Sequence, residues 1–317
     1  MICQKIPLFD TAEAAYLETY ISEYNTFSKD IQLPAMLVAP GGAYLGTSDR
    51  EAERVALAFV EKGFQAFVLR YSCGKKARMP QPIIEGLKAI ALIRSRAGEW
   101  HIDKNKIAVC GFSAGGHLCG CLATQWADKA LAEKAGCRCE DCKPNAAVLS
   151  YPCLALPAEM ETVRTKFPAV MLPVLKKQLG QPELEAEIFT ENGVICYNLG
   201  RSMQKQLAGR EDYTAEDLKP WSPADNVDAN TAPCFVWITA NDDIIPMADV
   251  ARYVQVMMAA KRPVEYHMFE EGPHGLSLGI GLTADSPVMV NPQAAAWFGL
   301  AVTWLEKQFA AKPKKGK

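Results

Sequence analysis

A serine placed between two glycines is the feature of this sequence that most clearly predicts chemistry. Residues 111–115 read Gly-Phe-Ser-Ala-Gly and match the pattern G-x-S-x-G around Ser113. A nucleophilic serine of this kind occupies a tight, strained turn, and its neighbours are glycines because a Cβ would not fit there. The turn lifts the hydroxyl to the start of the next helix, where the N–H of Ala114 and the helix dipole can stabilise an oxyanion. An ordinary glycine-rich turn is the alternative, but the strand predicted before the motif and the helix predicted after it favour catalysis.

The chain has only four histidines, so a general base can be sought by elimination. His117 lies one helical turn after Ser113 and cannot easily reach its hydroxyl from the base side. His101 precedes a predicted strand, and His267 lies within one. His274 follows the last predicted strand between turn-forming residues, which would present its ring to a site. We therefore expect His274 to be the general base, with a plain surface loop as the alternative.

Two adjacent carboxylates follow the preceding predicted strand, and either could orient the base. Asp242 and Asp243 both lie in this loop, and their adjacency leaves the choice between them open. A carboxylate here would fix the imidazole tautomer and stabilise the imidazolium. The order serine, acid, histidine along the chain is that of the α/β hydrolases.

A second loop is suited to complete an oxyanion hole. Residues 40–44 read Pro-Gly-Gly-Ala-Tyr and follow the first predicted core strand, where this fold carries an HGGG-type loop. Proline replaces the usual histidine, and alanine replaces the third glycine. We expect the N–H of Gly42 or Ala43 to act with that of Ala114, and a simple β-turn is the alternative.

The elements predicted around these residues alternate between short apolar strands and longer helices. This alternation indicates an α/β fold, with a mostly parallel central sheet and helices on both faces. Strands are expected over 33–38, 64–71, 106–111, 146–151, 234–240 and 264–269. Helices are expected over 82–100, 114–126, 247–260 and about 293–309. Another helix is expected to begin near Ser48, with Glu51 completing a capping box.

Prolines break the alternation over about 155–220, which we interpret as a cap-like insertion that packs over the edge of the sheet. The expected organisation is therefore a single α/β domain over 1–311 that carries this insertion. A basic, disordered tail is expected over 312–317.

Composition narrows the classes of partner. Of the 317 residues 49% are hydrophobic, and 34 Lys plus Arg nearly balance 36 Asp plus Glu, so neither nucleic acid nor a membrane is expected as a partner. No signal peptide or apolar run of about 20 residues is recognisable. An odd count of eleven cysteines favours a reducing cytoplasm. Cys137, Cys139 and Cys142 lack an obvious fourth zinc ligand, so we expect free thiols and neither a metal nor an organic cofactor.

Around its motifs the sequence resembles the BD-FAE esterases, a dienelactone-hydrolase-like and acetylesterase branch of the α/β-hydrolase superfamily. The resemblance rests chiefly on residues 40–42, 111–118 and 270–276, and it leaves out about 155–205 and the tail. It implies Asp242 as the triad acid, because two residues and then Ile-Pro follow it.

The resemblance implies a serine carboxylesterase that hydrolyses small acyl esters through an acyl-enzyme on Ser113. Acetylated xylo- or manno-oligosaccharides are the substrates it favours, and Tyr44 and Trp221 are candidates to stack on a sugar ring, with simple packing as the alternative. A prolyl-oligopeptidase-like peptidase, a general short-chain lipase or esterase, and a non-catalytic binding module are the competing interpretations. A peptidase of that type usually carries an additional propeller domain, and the chain has no room for one. A non-catalytic module would lack a member of the triad, whereas every member is present here. A small-molecule ester is the expected partner, and a homo-oligomer is compatible with the sequence.

Overall fold

The structure, a computed structural model, describes residues 1–10, 15–23, 31–156, 163–167, 172–173, 176 and 185–310. The predicted tail over 312–317 and several parts of the predicted insertion lie outside the described residues. The single-domain organisation over 1–311 therefore stays a prediction. None of the described helices combines the length and the apolar character that a bilayer span requires.

A central sheet of eight strands positions the candidate site. Its strands are β1 (Lys5–Pro7), β2 (Tyr16–Tyr20), β3 (Leu33–Ala39), β4 (Gln65–Arg70), β5 (Ile102–Phe112), β6 (Ala146–Ser150), β10 (Cys234–Thr239) and β11 (Val264–Phe269). They lie in the order β1-β2-β4-β3-β5-β6-β10-β11. The strands β4, β3, β5, β6, β10 and β11 are parallel to one another. At one border of the sheet, β2 pairs antiparallel with β4, and β1 pairs antiparallel with β2. The strands β3, β6 and β10 are mostly apolar because both of their faces are covered.

Eight helices lie wholly within the described residues, and the longer ones cover the sheet. They are α1 (Glu53–Glu61), α2 (Gln81–Ser95), α3 (Ala114–Gln125), α4 (Lys129–Lys134), α5 (Leu199–Ala208), α6 (Ala215–Leu218), α7 (Met247–Ala259) and α8 (Pro292–Phe309). The helices α1 and α8 meet through the rings of Phe59 and Phe298, whose centroids are 4.9 Å apart. The helix α3 packs instead against α2 and against β5 and β6.

Two predicted helix boundaries are corrected by the structure. The capping box does not form: Ser48 makes no side-chain cap, and Glu51 ends a 3₁₀ turn before α1 begins at Glu53. The Glu51 side chain is instead buried and bonded elsewhere. The second helix ends at Ser95 rather than near residue 100, because the chain turns there and places Trp100 against Phe67, with ring centroids 5.1 Å apart.

Part of the insertion forms a small antiparallel sheet beside residues 40–44, which we call the oxyanion loop. Its strands are β7 (Thr165–Phe167), β8 (Ile188–Glu191) and β9 (Val194–Tyr197), in the order β7-β9-β8. The buried Tyr197 packs with Leu45, Ile188 and Leu199 in a hydrophobic cluster of its own. Since Leu45 directly follows the oxyanion loop, the insertion contacts the segment that borders the candidate site.

Candidate active site

Ser113 lies in the sharp turn between β5 and α3. Its φ of 52° and ψ of −115° fall in a region that few residues other than glycine adopt. A Cβ at Gly111 would lie 2.1 Å from the carbonyl oxygen of Gly115, and one at Gly115 would lie 2.0 Å from that of Ala39. The two glycines of the motif are therefore required by close backbone approach. The N–H of Ser113 donates to the carbonyl of Ser150 at 3.0 Å and anchors the turn to β6.

His274 and Asp242 complete a hydrogen-bonded chain with this serine. The Nε2 atom of His274 lies 2.9 Å from the Ser113 Oγ, and its Nδ1 lies 2.9 Å from Asp242 Oδ2 and 3.1 Å from Asp242 Oδ1. The Asp242 side chain is 1% exposed, and its Oδ1 also accepts the N–H groups of Ile244 and Ile245. These bonds leave the carboxylate one orientation, in which it faces the imidazole.

The two aspartates that spacing could not separate have different partners. Asp243 Oδ1 accepts the backbone N–H of His274 at 3.0 Å. Of the two aspartates, only Asp242 bonds the His274 ring. Burial lowers the pKa of His274, but the Asp242 carboxylate, helped by Glu51 and Asp243, raises it by more, so the pKa lies above its ordinary value. The charges around the ring thus favour the imidazolium that proton transfer from Ser113 would create.

Free backbone N–H groups are present where an oxyanion would form. Gly42, Ala43 and Tyr44 have φ values of 132°, 52° and 59°, so the oxyanion loop turns through the left-handed region. Among the described residues, nothing accepts a hydrogen bond from the N–H of Gly42, Ala43 or Ala114. A Cβ at Gly41 would lie 3.1 Å from Ser113 Cβ, which places this loop directly beside the nucleophile. The arrangement can stabilise negative charge on a tetrahedral intermediate.

The structure corrects the expectation that Tyr44 stacks on a sugar. The Tyr44 side chain is 0% exposed, and its hydroxyl lies 2.7 Å from His117 Nδ1. His117 Nε2 lies 2.8 Å from the carbonyl oxygen of Trp221, so Nε2 carries the hydrogen and Nδ1 accepts from Tyr44. Burial lowers the pKa of His117 to about 4, so its ring is neutral. Tyr44 is therefore a buried packing residue. The role of the partly buried Trp221 towards a sugar stays a prediction.

Glu51 and Tyr151 lie beside the site and were not expected there. The Tyr151 ring packs edge-on against the His274 ring at a centroid distance of 5.0 Å, and its hydroxyl donates to Glu51 Oε1. The spacing of Glu51, Val55 and Phe59, four residues apart on one helical stripe, is the signal that could have indicated burial of the carboxylate.

Comparison with known proteins places this arrangement in a family. The BD-FAE family model matches residues 23–256. Among curated proteins, the chain is 27% identical over 259 residues to endo-1,4-beta-xylanase B of Butyrivibrio fibrisolvens, covering 78% of this chain and 33% of that protein. It is 23% identical over 253 residues to an acetylxylan esterase of Xylanibacter ruminicola, covering 77% of this chain and 41% of that protein. The chain therefore spans only 33% and 41% of the length of these two relatives.

Solved structures resemble the chain along nearly its whole length. MGS-M1, an alpha/beta hydrolase enzyme from a Medee basin deep-sea metagenome library, is 30% identical with a TM-score of 0.67, over 97% of this chain and 98% of that one. The carboxylesterase Cest-2923 of Lactobacillus plantarum is 25% identical with a TM-score of 0.76, over 97% and 98%. An acetyl ester-xyloside bifunctional hydrolase of Caldicellulosiruptor lactoaceticus is 26% identical with a TM-score of 0.71, over 96% of each chain.

These likenesses confirm the expected α/β-hydrolase fold, with its mostly parallel sheet flanked by helices. The family model covers well over half of the chain, and it includes both the nucleophile turn and the loop of the two aspartates. The chain belongs to the BD-FAE family.

Proposed function

We propose that the chain is a serine carboxylesterase. The observation that carries the proposal is the continuous path from the Ser113 hydroxyl through the His274 ring to the Asp242 carboxylate, with both hydrogen bonds at 2.9 Å. Ser113 attacks the ester carbonyl while His274 accepts its proton, and Asp242 stabilises the imidazolium. The N–H groups of Ala114 and of Gly42 or Ala43 hold the oxyanion. The alcohol leaves with the proton from His274, and water then hydrolyses the acyl-enzyme.

Acetyl esters of xylo- or manno-oligosaccharides are the substrates we propose. Support comes from relatives named acetylxylan esterase and acetyl ester-xyloside bifunctional hydrolase, and from one named as a xylanase. The proposed partner is accordingly a small ester. We also propose a cytoplasmic location, which the eleven free cysteines support and which cell fractionation with an antibody to the chain would test.

Replacing Ser113 with alanine tests the reaction. The S113A variant is expected to lose p-nitrophenyl acetate hydrolysis by about 10⁴-fold or more, because the nucleophile is gone, while its circular dichroism stays unchanged. The matched control is Ser95→Ala on the exposed end of α2, which is expected to keep full activity and full labelling by a fluorophosphonate. Retained hydrolysis in S113A would contradict the proposal, and a wild-type chain that no fluorophosphonate labels would favour a binding module.

An ester panel tests the substrate. Wild-type protein is compared on p-nitrophenyl esters from acetyl to octanoyl, on acetylated xylo- and manno-oligosaccharides, and on a peptide chromogen. Release of acetate from the saccharides and a preference for the acetyl ester are expected. A preference for octanoyl esters without acetate release would support a lipase-like enzyme, and cleavage of the peptide alone would support a peptidase.

A further inference from the structure

A buried carboxylate is hydrogen-bonded to the backbone of the oxyanion loop. Glu51 is 3% exposed, and its Oε2 accepts the N–H of Gly41 at 2.7 Å. Its Oε1 accepts the hydroxyl of Tyr151 at 2.5 Å. A Cβ at Gly41 would lie within 2.7 Å of Glu51 Oε2 and 3.1 Å of Ser113 Cβ, so the carboxylate and the nucleophile flank the same backbone position. The oxyanion loop is therefore held between the two.

The same carboxylate is linked to the loop that carries the base, which we define as residues 270–277 and call the histidine loop. The Tyr151 oxygen accepts the N–H of Ser277 at 2.9 Å, and the Ser277 hydroxyl donates to the carbonyl of Arg50 at 2.8 Å. Arg50 Nη2 donates to the carbonyl of Gly275 at 3.0 Å. Two consecutive residues, Arg50 and Glu51, thus bind both loops that must converge on the substrate.

The carboxylate of Glu51 has no ion-pair partner among the described residues, and its two oxygens are bonded only to Gly41 and Tyr151. Because the Tyr151 oxygen accepts from Ser277, its own hydrogen points to Glu51, so both carboxylate oxygens act as acceptors, as in an ionised group. Burial raises the pKa of Glu51 above its ordinary value, and the bonds from Tyr151 and Gly41, with the charges of His274 and Arg50, oppose that rise only in part. Besides the Arg50 guanidinium, the His274 imidazolium formed during the reaction is a cation that a negative charge on Glu51 would favour.

We propose that Glu51 is a positioning residue of the site: it fixes the oxyanion loop to the histidine loop and supplies a second buried negative charge that stabilises the protonated base. Its effect on the rate rests on the proposed esterase function, whereas its effect on His274 does not. Among the described residues, the other titratable or charged groups close to His274 are Asp242 and Tyr151 against its ring, Asp243 on its backbone N–H, and Arg50 on the carbonyl of the adjacent Gly275.

The first experiment follows the His274 ring itself. NMR titration of histidine-labelled protein is compared for wild type, Glu51→Gln and Glu85→Gln, with His274→Gln used to assign the signal. Glu85 is the matched control, since it is 1% exposed and is bonded to Ser72 and Gln81 away from the triad. E51Q is expected to lower the titration midpoint of His274 by about half a pH unit or more, and E85Q is expected to leave it unchanged. An unchanged midpoint in E51Q, or an equal shift in E85Q, overturns the proposal.

The second experiment separates positioning from a purely structural role. In E51Q, kcat is expected to fall on the order of tenfold with little change in KM, and the acid limb of kcat/KM is expected to move to lower pH. If E51Q does not fold, Tyr151→Phe removes the same link and is expected to lower kcat in the same way. Wild-type kcat in a folded E51Q or Y151F overturns the proposal. A wild-type chain without esterase activity refutes the proposed function instead, and the titration of His274 still decides the role of Glu51.

Discussion

Asp242 and Asp243 show how neighbouring residues of one type take different tasks. Asp242 is held by two backbone N–H groups, so its carboxylate is fixed before it meets the ring of His274. Asp243 bonds only the backbone N–H of that histidine. The first carboxylate acts on the tautomer and charge of the base, whereas the second holds the position of the loop.

Substituting the two aspartates separately tests this division. Asp242→Asn is expected to lower kcat by about 10⁴-fold, because an amide N–H facing Nδ1 favours the wrong imidazole tautomer. Asp243→Asn is the matched control, and it is expected to cost less than about tenfold because an amide oxygen can accept the same backbone N–H. Steady-state hydrolysis of p-nitrophenyl acetate measures both. Equal losses in the two variants would contradict the assignment of Asp242 as the acid.

The sequence predicted these residues unequally well, for physical reasons. Ser113 has a local signal, since a strand, a tight glycine turn and a helix are contiguous in the chain, and His274 could be found because so few histidines compete with it. Tyr44 and Glu51 were misjudged because their burial depends on segments far away in sequence. Tyr44 is covered by His117 on α3, and Glu51 by Tyr151 after β6. Spacing within one loop carries no information about such long-range packing.

At the scale of elements, the last helix helps to hold the histidine loop. Asn291 caps α8: its Oδ1 accepts the N–H of Ala294 at 2.9 Å, and its Nδ2 donates to the carbonyl of Glu271 at 2.6 Å. One side chain thus satisfies a helix end and bonds the chain three residues before the base. Apart from the two helix boundaries corrected above, most predicted strands and helices lie near their expected bounds, but β5 begins at Ile102 rather than at residue 106. Its early part is polar and therefore lacked the apolar signal used to predict it.

Two substitutions at this cap separate its two bonds. Asn291→Ala is expected to lower the free energy of unfolding by about 1 kcal/mol, because the Ala294 N–H loses its acceptor. Asn291→Asp keeps the acceptor, and its charge suits a helix N-terminus, so a smaller loss is expected. Urea unfolding of the three proteins measures the difference. An Asn291→Ala variant as stable as wild type would show that the cap contributes nothing.

At the scale of the whole molecule, a buried polar column joins segments far apart in the chain. The Tyr44 hydroxyl, the His117 ring and the Trp221 carbonyl are bonded in series, and the histidine is 0% exposed. The column connects the oxyanion loop, the helix after the nucleophile and the chain beyond the insertion. Because the ring is neutral and both of its nitrogens are bonded, protonation would break the bond from Tyr44.

The column predicts a dependence of stability on pH. The pKa of His117 is about 4 in the folded protein and close to its ordinary value of about 6.5 when unfolded, so protons bind preferentially to the unfolded chain. The part of the unfolding free energy that depends on neutral His117 is complete above pH about 6.5. It is lost as the pH falls towards about 4, on the order of 3 kcal/mol in all. Denaturant unfolding across this range is expected to show a flatter profile for His117→Gln than for wild type. Parallel profiles would mean that the histidine is not buried in its neutral form.

The order of the strands has a consequence for how activity is regained after denaturation. Ser113 follows β5 in the middle of the sheet, whereas His274 follows β11 at its border, with β6 and β10 between them. The nucleophile and its base can meet only after both intervening strands have docked. During refolding, the circular dichroism of helices and strands is therefore expected to recover before esterase activity does. The reason is that β11, at the border of the sheet, must bring His274 to Ser113.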